Sequence, residues 1–284
     1  MLNRSSRRGF TLVEIMLAMV IMLVVSAALY QLLVATQRVA GAQAERLGLQ
    51  ANVRGAALVV RSELAELGTS GEGATDSDII SIAPSAISYR ASRGFGYACQ
   101  AVSGSQIRIG RNHFTGHRDP QAGRDSVWVY VEGSAAQADS GWIPLGIASI
   151  STAAPCTGSA EPGITITTST PSPSGAFPAG TPVRIYERVE LALYQSEGLS
   201  WLGMKSVSAG EVIQPLFGPL AGRDGFHLLY FDEAGLPTAL SASVRSIAFT
   251  LRGVGQQPPS MTPNGRQPET EELTTQVALR NASR

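Results

Sequence analysis

The chain has 284 residues, enough for one large domain or two small ones. Acidic and basic residues balance at 22 each, which excludes the basic excess of a dedicated nucleic-acid binder. Only two cysteines occur, Cys99 and Cys156, so no zinc framework of four closely spaced Cys or His ligands can form.

The first informative element is a charge-free run. Ile15 to Gln37 contains no charged residue and is mostly apolar. A helix of about 20 such residues crosses the hydrocarbon core of a bilayer. Arg4, Arg7 and Arg8 precede it, whereas the first charges after it, Arg38, Glu45 and Arg46, nearly cancel. The positive-inside rule therefore puts the N-terminus in the cytoplasm and the chain after about residue 40 on the far side. A secretory signal peptide would have a shorter apolar region and a small-residue cleavage site. A plain signal anchor fits the hydropathy but leaves Glu14 unexplained, since a carboxylate in lipid costs roughly 2.5–3.5 kcal/mol on insertion scales. Thr11 and Glu14 also have the spacing of a capping box, which would satisfy free amides at a helix start.

The whole string Arg7-Arg8-Gly9-Phe10-Thr11-Leu12-Val13-Glu14, leading into an apolar helix, resembles the class III signal of type IV pilins and type II secretion pseudopilins. The resemblance implies that residues 1–9 are a cytoplasmic leader, with Arg4, Arg7 and Arg8 as its charges. A membrane peptidase would cut between Gly9 and Phe10 and the new N-terminus would be methylated. It further implies that the Glu14 carboxylate pairs with the N-terminal amine of a neighbouring subunit. Such pairing makes a buried charge tolerable and fixes axial register between apolar helices.

Helical periodicity continues past the bilayer. Val53, Ala57, Val60, Leu64 and Leu67 recur at steps of four and three, while Arg54, Arg61, Glu63 and Glu66 can take the opposite face. Gly68 and the Thr-Ser-Gly that follows read as a stop. One helix is thus expected over residues 10–67, transmembrane over about 10–33. Gly41, Gly48 and Gly55 fall seven apart within it, each costing about 1 kcal/mol relative to Ala. They serve either close packing or local melting during assembly, or nothing at all.

Residues 72–284 read as a β-rich globular domain. Short apolar runs alternate with turn residues. The expected strands are Asp78–Ile82, Ala86–Arg90, Gln106–Ile109, Ser126–Glu132, Ile164–Thr168, Val183–Gln195, Leu199–Lys205, Gly225–Asp232, Val244–Arg252 and Gln276–Leu279. Gly123-Arg124-Asp125 and Gly222-Arg223-Asp224 each read as a turn feeding a strand. Residues 151–182, rich in Ser, Thr, Pro and Gly, and 255–272, rich in Gln and Pro, read as surface loops with too little apolar content to order themselves. The expected fold is α+β and pilin-like: a long N-terminal helix packed on an antiparallel sheet.

The order Tyr186-Glu187-Arg188-Val189-Glu190-Leu191, then Leu199-Ser200-Trp201-Leu202, then Thr274 to Asn281, is similar to large minor pilins of the PilW type and to the pseudopilin J component of type II secretion. This looser resemblance covers about a third of the domain. It implies a subunit that helps initiate, prime or cap a type IV pilus, or one at the tip of a secretion pseudopilus. The implied partners are other minor pilins or pseudopilins, a prepilin peptidase and methylase, and an inner-membrane assembly platform, with no nucleic acid. The implied location is a single pass of the inner membrane with a periplasmic globular domain.

Cys99 and Cys156 fall on the far side of the membrane, where disulfides persist. They pair there or remain two buried thiols. No catalytic motif is evident: Gly-x-Ser-x-Gly, the Walker loop and His-Glu-x-x-His are all missing from the sequence. His113 and His117, with Asp119 and Asp125, have zinc-ligand chemistry, but Gly116 and Pro120 oppose the helix that would align them. Asp224, Asp232 and Glu233 flank turns and offer oxygen ligands to calcium, without the spacing of an EF-hand. His227 reads as a sheet residue, and Trp128, Trp142 and Trp201 as core or sheet-packing residues. The expectation is a structural protein with no enzymatic activity and no cofactor. A membrane-anchored periplasmic enzyme or binding protein is the runner-up, distinguished by an uncleaved N-terminus.

Overall fold

One helix, α1, runs unbroken from Leu12 to Ala65, 54 residues or roughly 80 Å at 1.5 Å per residue. The computed structural model describes residues 10–68, 77–102, 104–131, 141–152, 154–160, 162–171, 177–256 and 268–280. Arg4, Arg7, Arg8 and Gly9 lie outside them, as do parts of both expected loops. The chain divides into two compact units, Met1–Leu49 with Gly255–Glu269, and Gln50–Val254 with Thr270–Arg284. The boundary falls inside α1.

In the first unit, the two ends of the Gln- and Pro-rich segment clasp the helix. Gly255 donates its amide to the Glu269 carbonyl at 2.8 Å, and Arg46 pairs with the Glu269 carboxylate at 3.3 Å. A Cβ on Gly255 would stand 2.7 Å from a Glu45 carboxylate oxygen, so a larger residue there would require the flexible Glu45 side chain to shift.

The second unit begins with the C-terminal part of α1. Val53, Ala56, Ala57, Val60 and Leu64 are buried, followed by Leu67 just beyond the helix, so the stripe read from the sequence is the packing face. Arg54, Arg61 and Glu66 are exposed. Glu63 differs from expectation: it is half-buried and accepts a hydrogen bond from the hydroxyl of Tyr89, whose ring is wholly buried. A Tyr hydroxyl buried beneath a helix needs an acceptor, and Glu63 is within reach.

Twelve strands follow among the described residues: β1 (Ile79–Ala83), β2 (Ala86–Ala98), β3 (Gln106–Gly116), β4 (Asp125–Val131), β5 (Gly141–Ser151), β6 (Gly163–Thr168), β7 (Pro182–Ser196), β8 (Leu199–Ser206), β9 (Gln214–Leu220), β10 (Phe226–Phe231), β11 (Ser246–Val254) and β12 (Thr270–Ala278). All pairings between them are antiparallel. The expected α+β architecture is therefore the observed one.

Two long strands, β2 and β7, lie side by side from Ala86↔Ala192 to Tyr97↔Pro182 and change partners on their outer edges. On β2 the neighbour is β1 as far as Tyr89 and β3 from Gly94 onward. On β7 it is β4 up to Glu187 and β8 from Val189. Residues 86–89 of β2 and 189–196 of β7 pack beneath the helix with β8 to β12. The other parts close a ring, β2–β3–β6–β5–β4–β7 and back to β2. The result is a six-stranded antiparallel barrel with its own interior of Val102, Ile107, Ile109, Val127, Val129, Leu145, Ile147, Ile164, Ile166, Phe177, Val183 and Ile185.

This barrel corrects the reading of residues 151–182 as a surface loop. Ile164, Ile166 and Phe177 from that stretch fill the barrel core. Two strands were also missed. β5 holds Pro144 and β9 holds Pro215 and Pro219, and proline argues against a ladder strand because it lacks the N–H. β12 begins at Thr270, six residues before the expected strand and inside the expected loop. Thr270, Glu272, Thr274 and Gln276 on its exposed face are polar because β12 pairs only with β11 and turns one face to solvent.

The exit of α1 is tied down at three points. The Gly68 amide donates to the Asp78 carboxylate at 2.6 Å, Gly68 bridges Arg280, and the Arg280 amide donates to the Leu67 carbonyl at 2.9 Å. The end of the helix is thereby stitched to the segment that follows the last strand.

Candidate assembly site

At the helix start, the Thr11 side-chain oxygen accepts the Glu14 amide at 3.3 Å, and the Thr11 carbonyl accepts the Glu14 and Ile15 amides at 3.1 and 3.2 Å. Thr11 therefore caps the first turn, and the Glu14 carboxylate stands exposed just inside it. From Phe10 to Leu33 every large apolar side chain is exposed, with Leu12 at 74% and Tyr30 at 67%. A fully exposed Leu or Ile forgoes about 1.5–3 kcal/mol of burial. A run of this kind needs lipid or other helices around it, and its charge-free part alone spans about 35 Å. α1 is long and apolar enough to cross a membrane.

Gly48 lies in the unbroken helix with nothing within 4 Å of a Cβ built on it. Gly55 has only the Phe217 ring near, at 3.8 Å, an ordinary contact. Neither glycine is required by the folded subunit. Gly48→Ala is expected to raise helix stability by about 0.5–1 kcal/mol, read as a higher melting temperature of the helical circular-dichroism signal. A loss of stability would show that the position has an intramolecular role.

A second polar site was not anticipated. Along β7 the inward positions are Val183, Ile185, Glu187, Val189 and Leu191, so Glu187 sits between the barrel interior and the helix-packed core. Its side chain is 2% exposed and meets Arg93 at 2.6 Å, Arg124 at 2.5 Å and Arg118 at 3.3 Å. Arg118 also grips the fully buried Asp125 through two contacts of 2.5 and 2.7 Å, and Asp125 accepts the Gln121 amide at 2.7 Å. Arg124 reaches on to Glu211 at 2.5 Å. Three guanidiniums thus meet three carboxylates at the place where β2 and β7 change partners. Burial pushes the Glu187 carboxyl up, but hydrogen bonds from Ser206 and Arg93 and the charges of Arg93 and Arg124 outweigh it and hold the group below its ordinary value. The sequence did carry a signal: one acid in an otherwise apolar inward row.

The other flagged residues are dispersed. Cys99 and Cys156 form a disulfide that ties the end of β2 to the segment between β5 and β6. His113 lies within β3 and His117 just past its end, four residues on in an extended segment, and Asp119 and Asp125 are engaged by Arg111 and Arg118. Asp232 accepts the Leu236 amide within a turn. Among the described residues no group of three His, Cys, Asp or Glu side chains could hold a metal ion. His227 lies on the exposed face of β10, Trp128 packs edge-on against Tyr186 with Arg90 over its ring, and Trp142 carries Arg184 at 4.2 Å.

A family model described as the prokaryotic N-terminal methylation motif matches residues 4–30. The chain carries the type IV pilin and pseudopilin signature. No curated protein and no solved structure is found to match it. In this pilin-like protein the signature covers the Thr11 cap, Glu14 and the first half of the exposed apolar run, while the barrel and the buried ion network lie outside the matched residues.

Proposed function

We propose that this protein is a minor pilin, a low-abundance structural subunit that helps initiate, prime or cap a type IV pilus. The reading rests above all on the uncovered apolar helix with Glu14 in its first turn. A helix of that kind is stabilised by packing among other such helices. Glu14 then takes a partner amine from the neighbouring subunit, the N-terminus of Phe10 freed by cleavage after Gly9. The bulk of the globular part supports a minor role, because a barrel added to a helix-packed sheet is hard to repeat around a thin filament. The partners are other minor pilins, a prepilin peptidase and methylase, and the inner-membrane assembly platform. The globular part resides in the periplasm, and the protein works by assembly rather than by catalysis.

Three measurements bear on this. Mass spectrometry of the cellular protein should find Phe10 as a methylated N-terminus; an intact leader would favour a simple membrane anchor. Glu14→Ala should insert normally yet fall at least tenfold in sheared filaments, and unchanged incorporation would remove the pairing role. Recovery as the bulk protein of those filaments would defeat the minor role, and loss of protein secretion with pili intact on deletion would move the subunit to a pseudopilus.

A further inference from the structure

The outer wall of the barrel carries a cavity of about 390 Å³ that no assembly contact explains. Its origin is local. Ala98 pairs with Ile109 and Gly96 with Phe114, so two steps along β2 face five along β3, and Gly110 to His113 bulge outward. The His113 ring folds back over Gly110: a Cβ there would lie 2.9 Å from its Nδ1 and 3.6 Å from the Cys156 sulfur. The Cys99–Cys156 disulfide forms the floor, and the turn Thr157-Gly158-Ser159 and the Ala179-Gly180 backbone complete the walls. At the rim stands Tyr97, 45% exposed, held edge-on by Phe95 with ring centroids 5.0 Å apart.

The chemistry of this lining is specific. Among the described lining residues Arg111 alone carries a formal charge, and it is paired with Asp119 at 2.6 Å. The rest offer a phenol, an imidazole, an amide, hydroxyls and backbone groups. The volume lies in the roughly 300–1,000 Å³ range of small-molecule sites. An anionic polymer would call for a cluster of cations that is not compensated from within. A ligand rich in hydroxyls and without net charge fits better. Its hydroxyls would meet the polar walls, and its C–H faces, weakly positive, would lie on the electron-rich face of an exposed aromatic ring.

We infer that this cavity is a binding site for a neutral saccharide, with Tyr97 as the stacking platform and Asn112, His113 and Thr157 as hydrogen-bonding groups. The site is independent of the assembly role, since none of these residues lies on α1.

The test uses the full-length protein in a zwitterionic detergent that contains no sugar. Chitotetraose, maltotetraose, lacto-N-tetraose and then an array of neutral glycans are the probes, with a heparin tetrasaccharide and a short thymidine single strand beside them. The expected result is saturable binding of at least one neutral glycan, insensitive to salt between roughly 0.05 and 0.5 M. Tyr97→Ala should weaken it at least about tenfold, Tyr97→Trp should retain it, and Asn112→Ala should weaken it. Failure of every neutral glycan to bind, equal binding by Tyr97→Ala, or binding confined to the anionic probes and abolished by salt would each overturn the assignment.

Discussion

Glu187→Ala is expected to destabilise the unit that holds the barrel and the helix-packed sheet by about 3–5 kcal/mol, the usual cost of removing one partner from a buried ion pair. The substitution leaves Arg93, Arg118 and Arg124 converging on a space with no carboxylate of its own. Their side chains are 18–31% exposed, so water takes over part of the lost solvation and the lower end of the range applies. Glu187→Gln keeps the shape and an acceptor oxygen and should fall between the two. The pH dependence has a definite sign. The folded-state value of Glu187 is depressed, so the stability it contributes is present above its ordinary value of 4.5 and is lost as the pH falls through the lower folded value. Urea unfolding at stepped pH should therefore show an acid limb in the wild type that is flatter in Glu187→Gln. A Glu187→Ala variant within 1 kcal/mol of wild type would mean that the network is ornamental to stability.

Removing the disulfide should have an effect of similar size. Cys99 and Cys156 are 57 residues apart, and closing a loop of that length is worth about 4 kcal/mol in the chain-entropy model. Replacing both with Ser should be felt first in the barrel, because the bond joins the end of β2 to the segment between β5 and β6. Hydrogen exchange is the discriminating measurement. Amides of β3 and β6 should lose protection in the double variant while those of β10 and β11 keep theirs. Uniform loss across both regions would show that the barrel and the helix-packed sheet unfold as one.

The helix was legible because its signals are local. The charge-free run, the Thr11 cap and the buried stripe from Val53 to Leu67 each follow from spacing along the chain. Most strands were legible for the same reason, by alternation. What the sequence hid was the partner of each strand. β2 and β7 look like ordinary strands of one sheet, and nothing in their residues marks where β1 gives way to β3 or β4 to β8. The prolines of β5 and β9 pointed away from strands, and although Ile164–Thr168 read as a strand, the Ser- and Thr-rich composition of residues 151–182 masked Phe177, which the barrel also needs. The candidate assembly site was legible at Thr11, which caps the helix, and at Glu14, which stands exposed in its first turn. The ion network was legible only at Glu187, since Arg93, Arg118 and Arg124 come from separate segments and meet only once the ring closes.

The place where that ring opens has a further meaning for the history of the chain. Tyr97 and Pro182 are paired neighbours, about 5 Å apart as opposed residues in an antiparallel ladder. Everything between them leaves and returns through a single narrow doorway in a hairpin. A lineage could lengthen, exchange or discard the contents of that doorway while the two strands on either side continue to pair. The helix and its sheet would record descent; the barrel would record what each descendant changed.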